Sequence, residues 1–243
     1  MHPAEGSGNR NLVVERGADP SVLVVVFSGA RGHWGARPFD FLDTTNSLKY
    51  SRILCRDPYG TWYHDGLSEL SGIRPLVELL RGHIADLAPK VTLFIGNSAG
   101  GYAAILFGHL LMADAVHAFA PQTCLKPDHV KRYRRLDKPE KVAAYEQLWR
   151  SPGAEWDWLD LNEVLEHHNG RTTYLIHICE DSETDRSAAD WVASRPGVHI
   201  RTYPCGGHGV SRYIAKQKLL YKLLRPDLHL IAADLTSEGT QDD

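Results

Sequence analysis

Residues 91–108 read VTLFIGNSAGGYAAILFG: a strand-like apolar run passes into a helix-like apolar run through Gly96-Asn97-Ser98-Ala99-Gly100-Gly101. A single serine stands among three glycines where two core segments meet. Three roles compete for Ser98. A helix N-cap would need nothing special around it and leaves the glycines unexplained. A phosphate cradle requires G-x-x-x-x-G-K-[ST], or G-x-G-x-x-G in its dinucleotide form, and neither is present. The third role is a nucleophile in a sharp strand-to-helix turn, written G-x-S-x-G. It accounts for the glycines, because a serine forced into an unfavourable backbone conformation tolerates no side chains at positions 96 and 100. Such a turn also lifts the serine oxygen above the sheet and aims the Ala99 N–H at a developing oxyanion.

Working outward, the chain alternates between two periodicities. The run SVLVVVFS at 21–28 is β-branched throughout, as expected of a strand buried on both faces of a parallel sheet. Short strands are expected at 51–56, 91–95, 115–120, 173–178 and 198–203. Helices are expected at 73–87, 102–112, 187–194 and 212–224. Strand and helix in alternation imply a single α/β domain over 1–243, a mostly parallel sheet with helices on both faces. Residues 126–170 interrupt that alternation with the charged run KPDHVKRYRRLDKPEK and the aromatic run WRSPGAEWDWLDL. They are either a helical cap over the carboxyl ends of the strands, where ligands of such sheets bind, or a surface helix pair. Residues 1–10 and 236–243 are expected to be flexible tails.

The composition excludes several classes. In 243 residues there is 43% hydrophobic and 23% charged content, the balance of an ordinary globule. A formal net charge of −3 gives no bias toward nucleic acid or membrane. Residues 1–10 are polar, so no secretory leader is expected there. Cys55, Cys124, Cys179 and Cys205 lack C-x-x-C spacing, which argues against a disulfide scaffold or zinc ribbon and suggests a reducing, cytoplasmic setting. His167 and His168 are adjacent and no H-E-x-x-H occurs, so no metal and no other cofactor is expected.

The elbow GNSAGG, with its strand before and helix after, resembles that of the α/β-hydrolase superfamily, over roughly residues 12–224. The resemblance implies three further features. A histidine should follow the last strand, and His208 in CGGHG is so placed after VHIRTYP. An acid should follow the preceding strand, where YLIHICEDSETDR offers Glu180, Asp181, Glu183 and Asp185. LIHICED lines up with the family's strand-H-G-x-x-D, with Ile178 in place of the glycine, which favours Asp181 and keeps Asp185 as the alternative. A second oxyanion donor should come from the loop after the first long strand. Gly29 stands where the family has H-G, and the Ala30 N–H is the expected donor beside that of Ala99.

Around this site Gly29, Arg31, His33 and Trp34 are candidates to contact substrate, and the aromatic run at 56–66 could form a wall. His64 and Asp65 lie upstream of the elbow, where the family places no triad member. The resemblance therefore implies a serine hydrolase acting on a small-molecule ester or thioester, with a carrier-bound acyl group as one option suggested by the basic run at 126–141. Acyl transfer or cyclisation by the same triad, carbon–carbon bond hydrolysis, and a non-catalytic binding protein of the same fold are the alternatives.

Overall fold

The computed structural model describes residues 11–29, 39–67, 70–133 and 139–225. Its order is β1 (Leu12–Glu15), β2 (Asp19–Phe27), α1 (Leu42–Ser47), β3 (Tyr50–Cys55), α2 (Ile73–Leu87), β4 (Val91–Asn97) and α3 (Ala99–Leu110). Then follow β5 (Ala115–Phe119), α4 (Pro127–Tyr133), α5 (Pro139–Arg150), a 3-10 turn (Trp156–Trp158) and α6 (Leu161–Val164). The chain closes with β6 (Thr173–Cys179), α7 (Glu183–Val192), β7 (Val198–Tyr203), α8 (Val210–Lys216) and α9 (Leu220–Leu223). Among the described residues the strands form one sheet in the order β1-β3-β2-β4-β5-β6-β7. Only β1 runs antiparallel, along β3. The expected α/β architecture is therefore the one found.

Alternation along the strands divides the core between the two faces. Leu23, Val25 and Phe27 of β2 pack with α2, α3 and α6, whereas Val22, Val24 and Val26 pack with α8 and α9. Burying a side chain of this size contributes roughly 1.5–3 kcal/mol, so the central strands are held in the core by hydrophobic content on both sides. The carboxyl ends line up: Phe27 pairs with Gly96, Asn97 with Phe119, Phe119 with His177, and Cys179 with Tyr203. Segments leaving β2, β4, β5, β6 and β7 thus emerge along one edge of the sheet.

Several features differ from the sequence-based expectation, among them the short helix α1. β1 was not anticipated, because LVVE is a four-residue, half-exposed edge strand with no full alternation. α7 begins at Glu183, four residues earlier than expected, because Ser182 caps it by accepting from the Asp185 N–H. The last helix is two helices, broken at Lys218, whose φ is 56°. Finally, Cys179 and Cys205 form a disulfide, while Cys55 and Cys124 are free and buried. The register that sets Cys179 beside Tyr203 brings Cys205 within reach, which linear spacing could not reveal. That pairing removes the cysteine argument for a reducing compartment. Among the described residues no helix is long and apolar enough to cross a membrane.

Residues 126–170 hold the helices α4 to α6 between β5 and β6. This segment packs on the loop after β3. Tyr145 stacks on Trp62 at 4.7 Å between ring centroids, and Gln147 Nε2 donates to the Tyr59 carbonyl at 2.9 Å. It also meets α3, where the Tyr102 hydroxyl donates to the Trp158 carbonyl.

Candidate active site

Ser98 is the last residue before α3 and has φ 56° and ψ −115°, a backbone conformation that is unfavourable for a side-chain-bearing residue. The structure shows what enforces it. A Cβ on Gly96 would lie 2.0 Å from the Gly100 carbonyl oxygen, and one on Gly100 would lie 2.1 Å from that of Phe27. Both contacts are with backbone, so neither could be relieved by a rotamer change. The Ser98 N–H is bonded to the Phe119 carbonyl at 2.8 Å and its own carbonyl accepts from Tyr102 N–H at 3.1 Å. Ser98 is partly exposed, at the carboxyl edge of the sheet. Ala99 opens α3, and the first-turn N–H groups of a helix have no acceptor within it.

His208 lies in the loop between β7 and α8 with its side chain 43% exposed. Its Nδ1 is 2.8 Å from Oδ1 of Asp185, which is 2% exposed in the first turn of α7. An ionised carboxylate only accepts hydrogen bonds, so the geometry puts the imidazole proton on Nδ1 and leaves Nε2 as the basic nitrogen. The other oxygen, Asp185 Oδ2, is buried with no hydrogen-bond partner among the described residues. Asp181 does not make this contact. It is exposed, and its Oδ1 accepts from the Gly207 N–H at 2.8 Å, buttressing the histidine loop one residue away from the ring. The acid that reaches His208 is therefore Asp185 rather than the favoured Asp181, because the early start of α7 turns position 185 inward. The Cys179–Cys205 disulfide ties the same loop to the end of β6.

Gly29 ends the described part of the loop after β2. Its N–H is committed to Asp40 Oδ2 at 2.8 Å, and the Asp40 N–H in turn donates to Ser28 Oγ at 3.1 Å. Burial pushes the Asp40 carboxyl above its ordinary range, with the Gly29 bond opposing the shift. Ala30, Arg31, His33 and Trp34 lie outside the described residues. His64 is fully buried. Tyr102 gives its hydroxyl proton to Trp158, so His64 Nε2 donates to Tyr102 at 2.9 Å, and Nδ1 faces the Glu155 N–H at 3.4 Å. Burial lowers its pKa to about 3, so it is a neutral bridge between α3 and the 126–170 segment.

One neighbour of Ser98 escaped the sequence reading. Gln122, 5% exposed just past β5, donates from Nε2 to Ser98 Oγ at 2.9 Å, and its Oε1 accepts from the Trp62 indole at 3.0 Å. The available signal was a lone amide side chain in FAPQTC, three residues beyond the end of β5 at Phe119.

By sequence, no family model and no curated protein matches the chain. Among solved structures it is similar to the capsule O-acetyltransferase of Neisseria meningitidis serogroup A, with a TM-score of 0.61 at 15% identity over 87% of this chain and 90% of that one. The same acetyltransferase also matches as a mutant in complex with CoA. An α/β hydrolase, MGS-MChE2, from the metagenome of lagoon sediments of Mar Chica, Morocco, gives 0.55 at 16% identity over 91% and 96%. MenH from S. aureus gives 0.54 at 14% over 87% and 97%. At these identities the likeness is one of fold: the chain has the α/β-hydrolase fold, on which both hydrolases and acyltransferases are built.

Proposed function

We propose that this chain is a serine hydrolase that cleaves an ester or thioester through an acyl-enzyme on Ser98. The observation that carries the proposal is the His208–Asp185 pair, at 2.8 Å, on the segments that leave β6 and β7, the last two strands of the chain. That is the order Ser…Asp…His expected of an elbow enzyme. Composition alone gives no reason for a buried carboxylate to face a half-exposed imidazole there.

The proposed roles are these. His208 Nε2 takes the Ser98 proton as Oγ attacks the carbonyl carbon, and the resulting imidazolium is stabilised by Asp185 through Nδ1–H. The tetrahedral oxyanion is held by the Ala99 N–H, with Ala30 as second donor, each donor being worth about 3 kcal/mol in the transition state. His208 then returns the proton to the departing alcohol or thiol, and water repeats the sequence on the acyl-enzyme. The helices of 126–170, stacked on Trp62 and the β3–α2 loop, are proposed as a cap that shapes the acyl pocket.

Labelling by a fluorophosphonate probe tests the nucleophile. Wild type should be labelled and Ser98→Ala should not; an unlabelled wild type, or an equally labelled variant, refutes it. A second reading, transfer of the acyl group to an alcohol, is favoured by the acetyltransferase among the fold neighbours. Thiol release from acetyl-CoA that accelerates with added alcohol acceptor would select transfer, and release independent of acceptor would select hydrolysis.

A further inference from the structure

The residue bonded to the Ser98 oxygen is Gln122, and everything around it fixes the direction of that bond. An amide side chain can face a neighbour with either its oxygen or its nitrogen. An indole N–H, however, only donates, so the Trp62 contact at 3.0 Å requires Oε1 on that side. The NH2 group is thereby turned toward Ser98 Oγ, 2.9 Å away. A serine oxygen that accepts from Gln122 has its own proton free for another acceptor.

A second observation concerns the indole itself. Trp62 and Tyr63 are consecutive non-glycine residues in the left-handed region, with φ 53° and 67°. Such strain persists only where the surroundings over-determine it. Here the buried Asp57 carboxylate accepts from the N–H groups of Tyr59 at 2.9 Å, Gly60 at 3.0 Å and Tyr63 at 3.1 Å. The Tyr63 hydroxyl lies 2.9 Å from the Ser28 carbonyl and 3.0 Å from that of Cys55, its proton shared between two acceptors. Tyr145 covers the outer face of the indole. A strained turn, a buried carboxylate and a ring stack thus converge on one indole N–H, whose polar partner is the amide on Ser98.

We propose that Gln122 is a catalytic residue whose amide, locked in one orientation by Trp62, holds the Ser98 hydroxyl with its proton directed to His208; Trp62 is its positioning residue. The inference rests on Ser98 being the nucleophile and adds a fourth side chain to that machinery. In the attack, the Oγ–H bond breaks toward His208 Nε2 and the Oγ–carbon bond forms, while the Gln122 N–H stays on the remaining Oγ lone pair. In deacylation the same donor assists the departure of Oγ as that bond breaks and the proton returns.

The test is the second-order rate of fluorophosphonate labelling in wild type, Gln122→Ala, Gln122→Glu, Trp62→Phe, Trp62→Phe/Gln122→Ala and Ser98→Ala, with melting temperatures recorded alongside. Gln122→Ala should slow labelling roughly 10- to 100-fold, less than loss of an oxyanion donor because less charge develops on Oγ. Gln122→Glu preserves shape and the Trp62 contact but turns a donor into an acceptor at Oγ, so its loss should be at least as deep. Trp62→Phe should cost about 3- to 10-fold in wild type and nothing further in the Gln122→Ala background, a coupling that a merely structural tryptophan would not give. Labelled wild type with the Gln122 variants within twofold of it, or an undiminished Trp62→Phe loss in the double variant, overturns the proposal and leaves Ser98 standing. Unlabelled wild type removes Ser98 as nucleophile and this inference with it.

Discussion

Exchanging the two aspartates beside the histidine loop tests the proposed role of Asp185 against that of Asp181. In Asp185→Asn the new amide has two orientations. With its nitrogen toward His208, it donates to Nδ1 and drives the imidazole proton to Nε2, abolishing the base. With its oxygen toward Nδ1, the NH2 group falls where Oδ2 now lies, a buried position with no hydrogen-bond partner among the described residues, at a cost of about 1–3 kcal/mol. In either orientation the imidazolium loses its counter-charge. The expected loss is ~10⁴ in the acylation rate, or about 5.4 kcal/mol at 1.36 kcal/mol per decade. Folding should survive, because a loss of about 1–3 kcal/mol is smaller than the roughly 5–15 kcal/mol by which a folded domain is ordinarily stable. Asp181→Asn retains an oxygen for the Gly207 N–H and should stay within about threefold; Asp181→Ala loses that bond, about 1 kcal/mol, and should fall roughly fivefold. Fluorophosphonate labelling rates at pH 8 read all three variants. A 10⁴ loss in Asp181→Asn with an active Asp185→Asn would refute the assignment.

Gly100→Ala places a methyl 2.1 Å from the Phe27 carbonyl, so its melting temperature should drop by an amount equivalent to about 2–3 kcal/mol, with labelling lost; an unchanged Tm would contradict the elbow geometry. Reducing the Cys179–Cys205 disulfide, which closes a separation of 26 residues, should cost about 3.5 kcal/mol by chain entropy, a fall of roughly 7–14 °C in Tm by calorimetry with and without dithiothreitol. His177 is held neutral, its pKa lowered to about 3 by burial and then by Arg201, and His64 behaves alike. Unfolding lets each rise to about 6.5, so the unfolded chain gains protons as pH falls and stability declines by about 2 kcal/mol per histidine between pH 7 and 5. In urea titrations His177→Gln should show a pH 7-to-5 difference smaller by that amount, whatever its own baseline; an unchanged difference would exclude the residue as its source.

What was legible in the sequence is what depends on local pattern. The elbow was visible because six consecutive residues carry its steric demand, and the central strands because continuous β-branched runs leave little else. The histidine was visible because a strand and a helix bracket CGGHG. That Asp185, the alternative acid, and not Asp181 touches His208 has a local reason acting at one remove. Ser182 was an available N-cap, and starting α7 there moves Asp185 onto the inward face while Asp181 stays outside. The Cys179–Cys205 pairing and the Gln122–Ser98 bond depend on which strands are neighbours and in what register, and no window along the chain contains that information. β1, short and half exposed, offered too little periodicity to detect.

The position of every site residue follows from the aligned carboxyl ends of five strands. Ser98, Gln122, Asp185 and His208 each follow a different strand, β4 to β7, and Gly29 follows β2. Parallel pairing makes adjacent strands finish together, so side chains distant in sequence arrive along one edge without any loop having to reach far. The same pairing confines the strain. Ser98 holds its unfavourable conformation because its N–H is taken by the neighbouring strand at Phe119 and its flanking glycines are wedged against the backbone of α3 and β2. Relaxing the serine would break that bond and separate those elements, so the strain of about 1–3 kcal/mol is small beside what opposes its release. It follows that substitutions which loosen β5 should slow acylation through the backbone of Ser98 before they unfold the chain, read as a fall in fluorophosphonate labelling at an unchanged melting temperature.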